Sequence, residues 1–246
     1  MTTAVLHNLR AYYECEYLRN HPDMDVCDVP GKFEALRPLL DEVALSRPHQ
    51  VVEIGCGSGA LLTLASRYLD APGIGLDLSA AVLQKAREVS PGLGLVQANA
   101  QQLPLTLERC DLVMFADLIE HVPQPREFLR SLRGARDVVM LVPLESGWFS
   151  DLVYFYRRWK GKPTNYETCG HLHRWTRGSA LCLIQSAGLR IVSHEVRCGK
   201  FTQYTTWRGR LYGALSSALH DACPWLHQRL FGAYTLLALC RADERT

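Results

Sequence analysis

Val51-Val52-Glu53-Ile54-Gly55-Cys56-Gly57-Ser58-Gly59 is the stretch on which the fold turns. The opening run reads as a buried strand, and it passes straight into glycines at alternate positions. That spacing lets the backbone turn tightly and approach a ligand where a Cβ would collide. Ala60, Leu61 and Leu62 then open a helix expected over 59–69. Its first N–H groups and its positive end favour a carboxylate or a phosphate above the loop. A bare strand-to-helix turn would use the same glycines, and Gly55-x-Gly57-x-x-Ala60 also satisfies a loose dinucleotide fingerprint.

Outward from this loop the chain alternates short apolar runs with amphipathic segments. Strands are expected at 50–54, 73–77, 93–97, 110–115 and 137–142, and helices at 59–69, 79–89 and 124–133. Strands alternating with helices across short links imply a parallel sheet covered on both faces, an α/β fold. Right-handed crossovers then make it doubly wound, with a crevice at the carboxyl ends of the strands. Beyond residue 143 the alternation loosens. Helices are expected at 148–160 and 176–187 and strands at 189–196 and 234–241, with an insert at 197–233 carrying Trp207, Leu211, Leu215, Leu219 and Leu226. Residues 1–48 read as a helical lead-in: an aromatic stretch (Tyr12, Tyr13, Tyr17), a break at 22–31 containing the turn signal Pro30-Gly31, then Phe33, Leu36, Leu39 and Leu40 at helical spacing. The whole reads as a single domain over 1–246, with a ligand-binding half at 49–145 and a second half at 146–246.

Composition narrows the setting. A net charge of +2 gives no electrostatic case for nucleic acid as a partner. Nine scattered cysteines without a CxxC pair read as reduced thiols filling core positions, which suits a cytoplasmic protein. Neither a signal peptide nor a membrane-spanning run is expected.

Asp77 ends the expected second strand, Gly73-Ile74-Gly75-Leu76-Asp77, about twenty residues past the loop. A carboxylate there can accept hydrogen bonds from both hydroxyls of a ribose, or it can cap the helix that follows. The ribose role suits NAD and S-adenosylmethionine equally. Two downstream segments separate them: Gln97-Ala98-Asn99-Ala100-Gln101-Gln102-Leu103-Pro104-Leu105, and Asp111-Leu112-Val113-Met114-Phe115-Ala116-Asp117-Leu118-Ile119-Glu120-His121-Val122. Loop, acid and these two segments, in this order, resemble class I S-adenosylmethionine-dependent methyltransferases, especially the methyltransferase 11-like group with the ubiquinone-type O-methyltransferases. The likeness covers residues 50–142.

The resemblance implies a Rossmann-like seven-stranded sheet of order 3-2-1-4-5-7-6 with its last strand antiparallel, and S-adenosylmethionine as cofactor. It implies that Glu53, Gly55, Cys56, Gly57 and Gly59 hold the amino-acid part, that Asp77 binds the ribose, and that Leu78 packs on adenine. Asn99 and Ala100 would reach the adenine edge, and Ala116 would complete the cradle. Position 99 is usually Asp in the group; Asn can still accept from an exocyclic amine through its carbonyl oxygen.

Methyl transfer is a displacement at an already activated carbon, so alignment carries most of the catalysis and a base removes at most one proton. His121, at the expected crevice rim, is the first candidate base. A helical turn at 117–121 would put Asp117 on its face at i, i+4, where it could orient the imidazole; the alternative is that His121 only packs or caps. The second candidate is Gly170-His171-Leu172-His173-Arg174-Trp175-Thr176, with His171 or His173 facing the acceptor and Thr176 capping the next helix. Cys169-x-His171-x-His173 is too tightly spaced for an ordinary tetrahedral metal site, so no metal is expected, and nothing flanking the cysteines activates one as a nucleophile.

In Trp148-Phe149-Ser150-Asp151-Leu152-Val153-Tyr154-Phe155-Tyr156-Arg157-Arg158-Trp159-Lys160 the apolar positions 148, 152, 155, 156 and 159 share one helical face, and a basic cluster ends it. This is either a lid packing that face on the sheet, or a cover over an apolar acceptor, or an interfacial helix touching a membrane. The expected partner is a small-molecule acceptor with a hydrophobic body, lipid- or glycan-linked, methylated at oxygen. The rivals are methylation at nitrogen or carbon, an NAD-dependent oxidoreductase (disfavoured by the missing Tyr-x-x-x-Lys), and a non-catalytic cofactor-binding scaffold.

Overall fold

The computed structural model describes residues 26–104, 107, 110–145, 148–161, 170–198, 211, 214, 218–223, 226–227 and 233–242. Tyr12, Tyr13, Tyr17, Cys169, Trp207 and Leu215 lie outside them. In chain order the elements are α1 (Val29–Ala44), β1 (Val51–Ile54), α2 (Ala60–Leu69), β2 (Gly73–Asp77), α3 (Ala80–Val89), β3 (Gly94–Gln97) and β4 (Leu112–Ala116). There follow α4 (Pro125–Ser131), β5 (Asp137–Glu145), α5 (Trp148–Trp159), α6 (Arg177–Ser186), β6 (Leu189–Cys198) and β7 (Ala233–Ala242). One seven-stranded sheet runs β3-β2-β1-β4-β5-β7-β6, the expected order. β1 to β5 are parallel, and β7 pairs antiparallel with both β5 and β6.

Strand alternation sorts the core into two layers. Val52, Ile54, Val113, Phe115, Val138, Met140 and Val142 face Phe128 and Leu129 of α4, Leu132 just past it, and Ala180 and Ile184 of α6. Val51, Leu112, Met114, Val139 and Leu141 face Leu36, Leu40, Leu62 and Ala65 from α1 and α2. Both faces are therefore dry, as a parallel sheet demands.

Three expectations need correction. Pro30-Gly31 is not a break: α1 begins at Val29 with the proline in its first turn, where the missing N–H costs nothing and φ is already helical. Asp77 does not cap α3; Ser79 does, its Oγ accepting from Val82 N at 3.2 Å. Residues 117–121 form no α-turn: Asp117 is left-handed at φ +48°, its backbone N–H donates to Leu141 O, and His121 N bonds back only as far as Leu118 O. Farther on, Thr176 caps α6 as expected, in a capping box with Ser179.

Candidate functional site

The site is laid out along the carboxyl edge of the sheet. Gly55, Gly57 and Gly59 all sit at positive φ, between +52° and +72°. Gly55 N and Cys56 N donate to Leu76 O at 2.7 and 3.0 Å, which folds the loop back against the end of β2. A Cβ on Gly55 would meet Leu118 at 2.9 Å, and one on Gly59 would meet Leu93 at 2.8 Å. Above Gly57 there is open space among the described residues, with none of their atoms within 4 Å of where its Cβ would stand. The first and third glycines thus serve packing, and the middle one leaves room for a ligand.

Asp77 closes the cradle from β2. Its Oδ2 accepts from Gly57 N and its Oδ1 from Ser79 N, both at 3.0 Å. The carboxylate is fixed in place and half-buried beside the open face of Gly57. Glu53 sits beneath, 2% exposed, and its Oε2 has no hydrogen-bond partner among the described residues. Burial pushes its carboxyl from 4.5 up to about 8; the backbone N–H of Leu62 and then Lys32 pull the other way, and Asp77 adds to the rise. A buried acid in this state waits for a cation. Cys56 packs against β2, its Sγ 2.7 Å from where a Cβ on Gly75 would stand, and burial followed by Asp77 and Glu53 drives its thiol far above the usual range. It is a filler and no nucleophile.

Leu78 is half-buried, and its carbonyl accepts from Gln97 Nε2 at 3.1 Å. Asn99 departs from its expected role in part: its Oδ1 already accepts from Gln101 N at 2.9 Å, shaping the turn after β3. That commits one lone pair and leaves a second, with the amide donors, for a nucleobase. Ala100 packs against the layer that holds α4, and Ala116 against the layer that holds α1.

The candidate bases meet. His121 Nδ1 lies 3.1 Å from Gly170 O, and the His121 and His171 rings touch edge to face at 4.8 Å. Leu172 N and His173 N donate to Glu120 O at 2.7 and 3.1 Å, and His173 Nε2 contacts Val122 O at 3.0 Å. His173 stacks on the buried Trp175. The segment after residue 170 is therefore stapled along the loop after β4. A carbonyl can only accept, so Gly170 places the proton on Nδ1 of His121 and leaves Nε2 with its lone pair. His173, bonded to a second carbonyl and stacked, serves the staple.

Asp117 is not the acid beside His121. It forms an ion pair with Lys32 Nζ at 2.7 Å, and the acid beside the imidazole is Glu120, 2% exposed, with Oε1 3.9 Å from Nε2. Sequence reasoning missed both Lys32 and Glu120. Glu120 lay within a quoted segment, one residue from a candidate base; Lys32 carried no signal, because its place depends on how α1 crosses the sheet.

Residues 52–135 match the family model for a methyltransferase domain. That stretch, about a third of the chain, is similar to methyltransferase domains, and the sheet has the strand order expected of the class I S-adenosylmethionine-dependent fold. It is 37% identical over 103 residues to trans-aconitate 2-methyltransferase of Rhodopseudomonas palustris (strain BisA53), covering 40% of this chain and 39% of that one. It is 36% identical over 106 residues to the same-named protein of Methylobacterium radiotolerans, covering 41% and 40%. The chain thus matches about two fifths of the length of these relatives. A solved SAM-dependent methyltransferase from Archaeoglobus fulgidus shares the fold with a TM-score of 0.57 at 16% identity, over 86% of this chain and 93% of that one. Another, from Mesorhizobium loti, gives 0.54 at 20%, over 78% and 90%. The methyl donor of this family fits the cradle. The open face of Gly57 gives it room, the fixed carboxylate of Asp77 suits a ribose, and the orphaned buried oxygen of Glu53 suits an ammonium.

Proposed function

We propose that this chain methylates an oxygen of a small molecule with a largely apolar body, and that His121 takes the acceptor's proton. The observation carrying this reading is the bond from His121 Nδ1 to Gly170 O, which keeps Nε2 basic, with the Glu120 carboxyl beside it to steady an imidazolium. S-adenosylmethionine bound in the cradle supplies a methyl group activated by its sulfonium. Glu53 takes the donor's ammonium, Asp77 its ribose hydroxyls, Leu78 one face of adenine, and Asn99 and Ala100 the adenine edge. Lys32, held over the end of β4 by Asp117, meets the donor's carboxylate. His121 Nε2 would take the proton of the acceptor hydroxyl as that oxygen receives the methyl group the bound donor supplies. His171, edge-on to His121, orients the acceptor.

The acceptor class rests on α5. That helix is tied inward by Asp151 and Tyr154, which pair with and stack on Arg174 of the stapled segment. Four side chains of its apolar stripe, Leu152, Phe155, Tyr156 and Trp159, are 55–77% exposed, which favours an interfacial helix over a lid packed on the sheet. An outward apolar stripe ending in Arg158 and Lys160 suits an anionic lipid surface from which an apolar acceptor is drawn. A polycarboxylate such as trans-aconitate would need convergent cations, and Arg174 near the histidines is already held by Asp151. No described helix is long and apolar enough to cross a membrane.

The deciding experiment incubates the protein with methyl-labelled S-adenosylmethionine and fractionated extract, lipid and aqueous pools apart. Label in a lipid-extractable product 14 daltons heavier than its precursor supports the reading. Label confined to aqueous polycarboxylates would replace it, and an NADH-dependent reaction without label would overturn it.

A further inference from the structure

A group of metal-ligating side chains lies away from the cofactor cradle, at the far end of the same sheet edge. Cys198 is the last residue of β6 and pairs directly across the ladder with Tyr234 of β7. Cross-strand partners present their side chains on one face, so the sheet itself brings thiol and phenol together. His220 and His227 lie seven residues apart, on backbone bonded in helical fashion from Cys223 N to Leu219 O and from His227 N to Cys223 O. At that spacing two side chains share one helical face. Their Nδ1 atoms contact Tyr234 Oη at 3.0 and 2.9 Å, and the two rings are 5.3 Å apart. The Cys198 sulfur and one nitrogen of each imidazole all fall within 4.8 Å of one another, with His227 fully buried.

We propose that Cys198, His220 and His227 bind one zinc-class divalent ion, which pins the insert after β6 to the end of the β6–β7 pair. A thiolate with two imidazoles is a borderline-soft donor set that suits zinc over magnesium or calcium. With metal–nitrogen bonds of about 2.0–2.1 Å and a metal–sulfur bond of about 2.3 Å, tetrahedral donors stand roughly 3.3–3.7 Å apart. The present separations close to that by side-chain rotation. Tyr234 gives both rings a fixed partner, as zinc-bound histidines ordinarily have. Binding releases the Cys198 thiol proton and changes no oxidation state.

The test is a titration of the chelator-treated full chain with cobalt(II). The expected result is one ion per chain, with a thiolate-to-cobalt charge-transfer band and the visible bands of a tetrahedral ion, all displaced by one equivalent of zinc. Cys198→Ser should abolish the charge-transfer band, and His227→Ala should weaken the ion by at least about 100-fold. His121→Ala should leave both unchanged. Should Cys198→Ser not fold, the wild-type chain still decides the matter: bound zinc should shield Cys198 from alkylation, read peptide by peptide against the other cysteines. No saturable band, a band that survives Cys198→Ser, or equal alkylation with and without zinc would overturn the proposal.

Discussion

The cofactor cradle and the acceptor edge of this molecule are built by different physics. The cradle is local: β1 ends, the glycines turn through positive φ, and Asp77 closes over Gly57 from the neighbouring strand. Each part lies within a few residues of a strand end, and parallel pairing of β1 with β2 sets the rest. The acceptor edge is long-range. It exists because Gly170, Leu172 and His173 hydrogen-bond to the loop after β4, some fifty residues away, and because α5 is held by Arg174. A site made of backbone turns is robust to side-chain change except at its few anions. A site made of staples fails when one staple goes.

The largest expected effect tests the acceptor edge at its centre. His121→Ala should lower turnover by about 10²–10⁴ while leaving cofactor affinity nearly intact, because the base acts only on the acceptor proton. Turnover and calorimetry on one preparation check it. A full-speed variant would move the base to His171 or leave positioning alone to drive the reaction.

On the cradle side, Asp77→Ala should weaken S-adenosylhomocysteine by about two orders of magnitude, as two charge-assisted bonds to ribose cost about 3 kcal/mol together. The loop should also loosen, since the same carboxylate holds Gly57 N and Ser79 N. Calorimetry gives the first, and hydrogen exchange at those two amides the second. Unchanged affinity with an intact fold would remove Asp77 from the ribose.

Glu53 offers a sharper probe of the same region. Its folded carboxyl titrates at about 8 against 4.5 for an ordinary one, so it is mostly protonated at neutral pH. A raised acid stabilises the fold fully below the unfolded value and loses that contribution as pH climbs through the folded one. The melting temperature should therefore fall between pH 4.5 and 8, and Glu53→Gln should flatten that slope. The donor's ammonium reverses the balance: at pH 7, binding should release close to one proton, seen as a buffer-dependent heat. Glu53→Gln should abolish the release and cost about tenfold in affinity, since Gln keeps an acceptor but no charge. A proton-neutral heat in the wild type would place the ammonium elsewhere.

The outward stripe of α5 is a weaker lever. Leu152→Ser with Phe155→Ser should reduce binding to anionic vesicles by about tenfold or more, the two side chains contributing roughly 1.5–3 kcal/mol each when fully buried and less at an interface. Vesicle sedimentation measures this. Equal binding by wild type and variant would leave the stripe to some other cover.

The same division explains what could be read from sequence. The parallel strands, the glycine loop and the acid closing β2 were legible because adjacent residues announce each, as apolar runs ending in glycine and an acid at a strand end; the strand order and the Thr176 cap followed from the resemblance to the methyltransferases. Asp117 was misplaced because a short polar side chain can adopt positive φ, which breaks the i, i+4 spacing without any trace in hydrophobic periodicity. Lys32 and Glu120 were missed, and the direction of the apolar face of α5 stayed open between a lid and an interfacial helix, because crossing angles and staples between distant segments leave no local pattern. Ser79, two positions on, caps α3 in place of Asp77.

The smallest effect isolates the acceptor edge from the cradle. Thr176 accepts from Ser179 N at 3.1 Å, and Ser179 Oγ in return accepts from Thr176 N at 2.9 Å, so two backbone donors at the start of α6 are satisfied together. This box stands directly after Trp175, where the stapled segment becomes helix. Thr176→Ala should cost about 1 kcal/mol, and in a chain of this size the melting temperature should drop by roughly 2–4 °C. A fraying first turn of α6 also frees the segment from 170 to 175, so His171 is held less firmly against His121. The acceptor KM should rise a few-fold while cofactor affinity stays nearly unchanged, because the hydrogen bonds that shape the cradle run through Gly57, Asp77 and Ser79 and not through this turn. Thr176→Ser, which keeps the hydroxyl, should restore both the melting temperature and KM. If Thr176→Ala instead weakened the cofactor as much as the acceptor, the two regions would be one mechanical unit, and the contrast between a local cradle and a stapled edge would not hold.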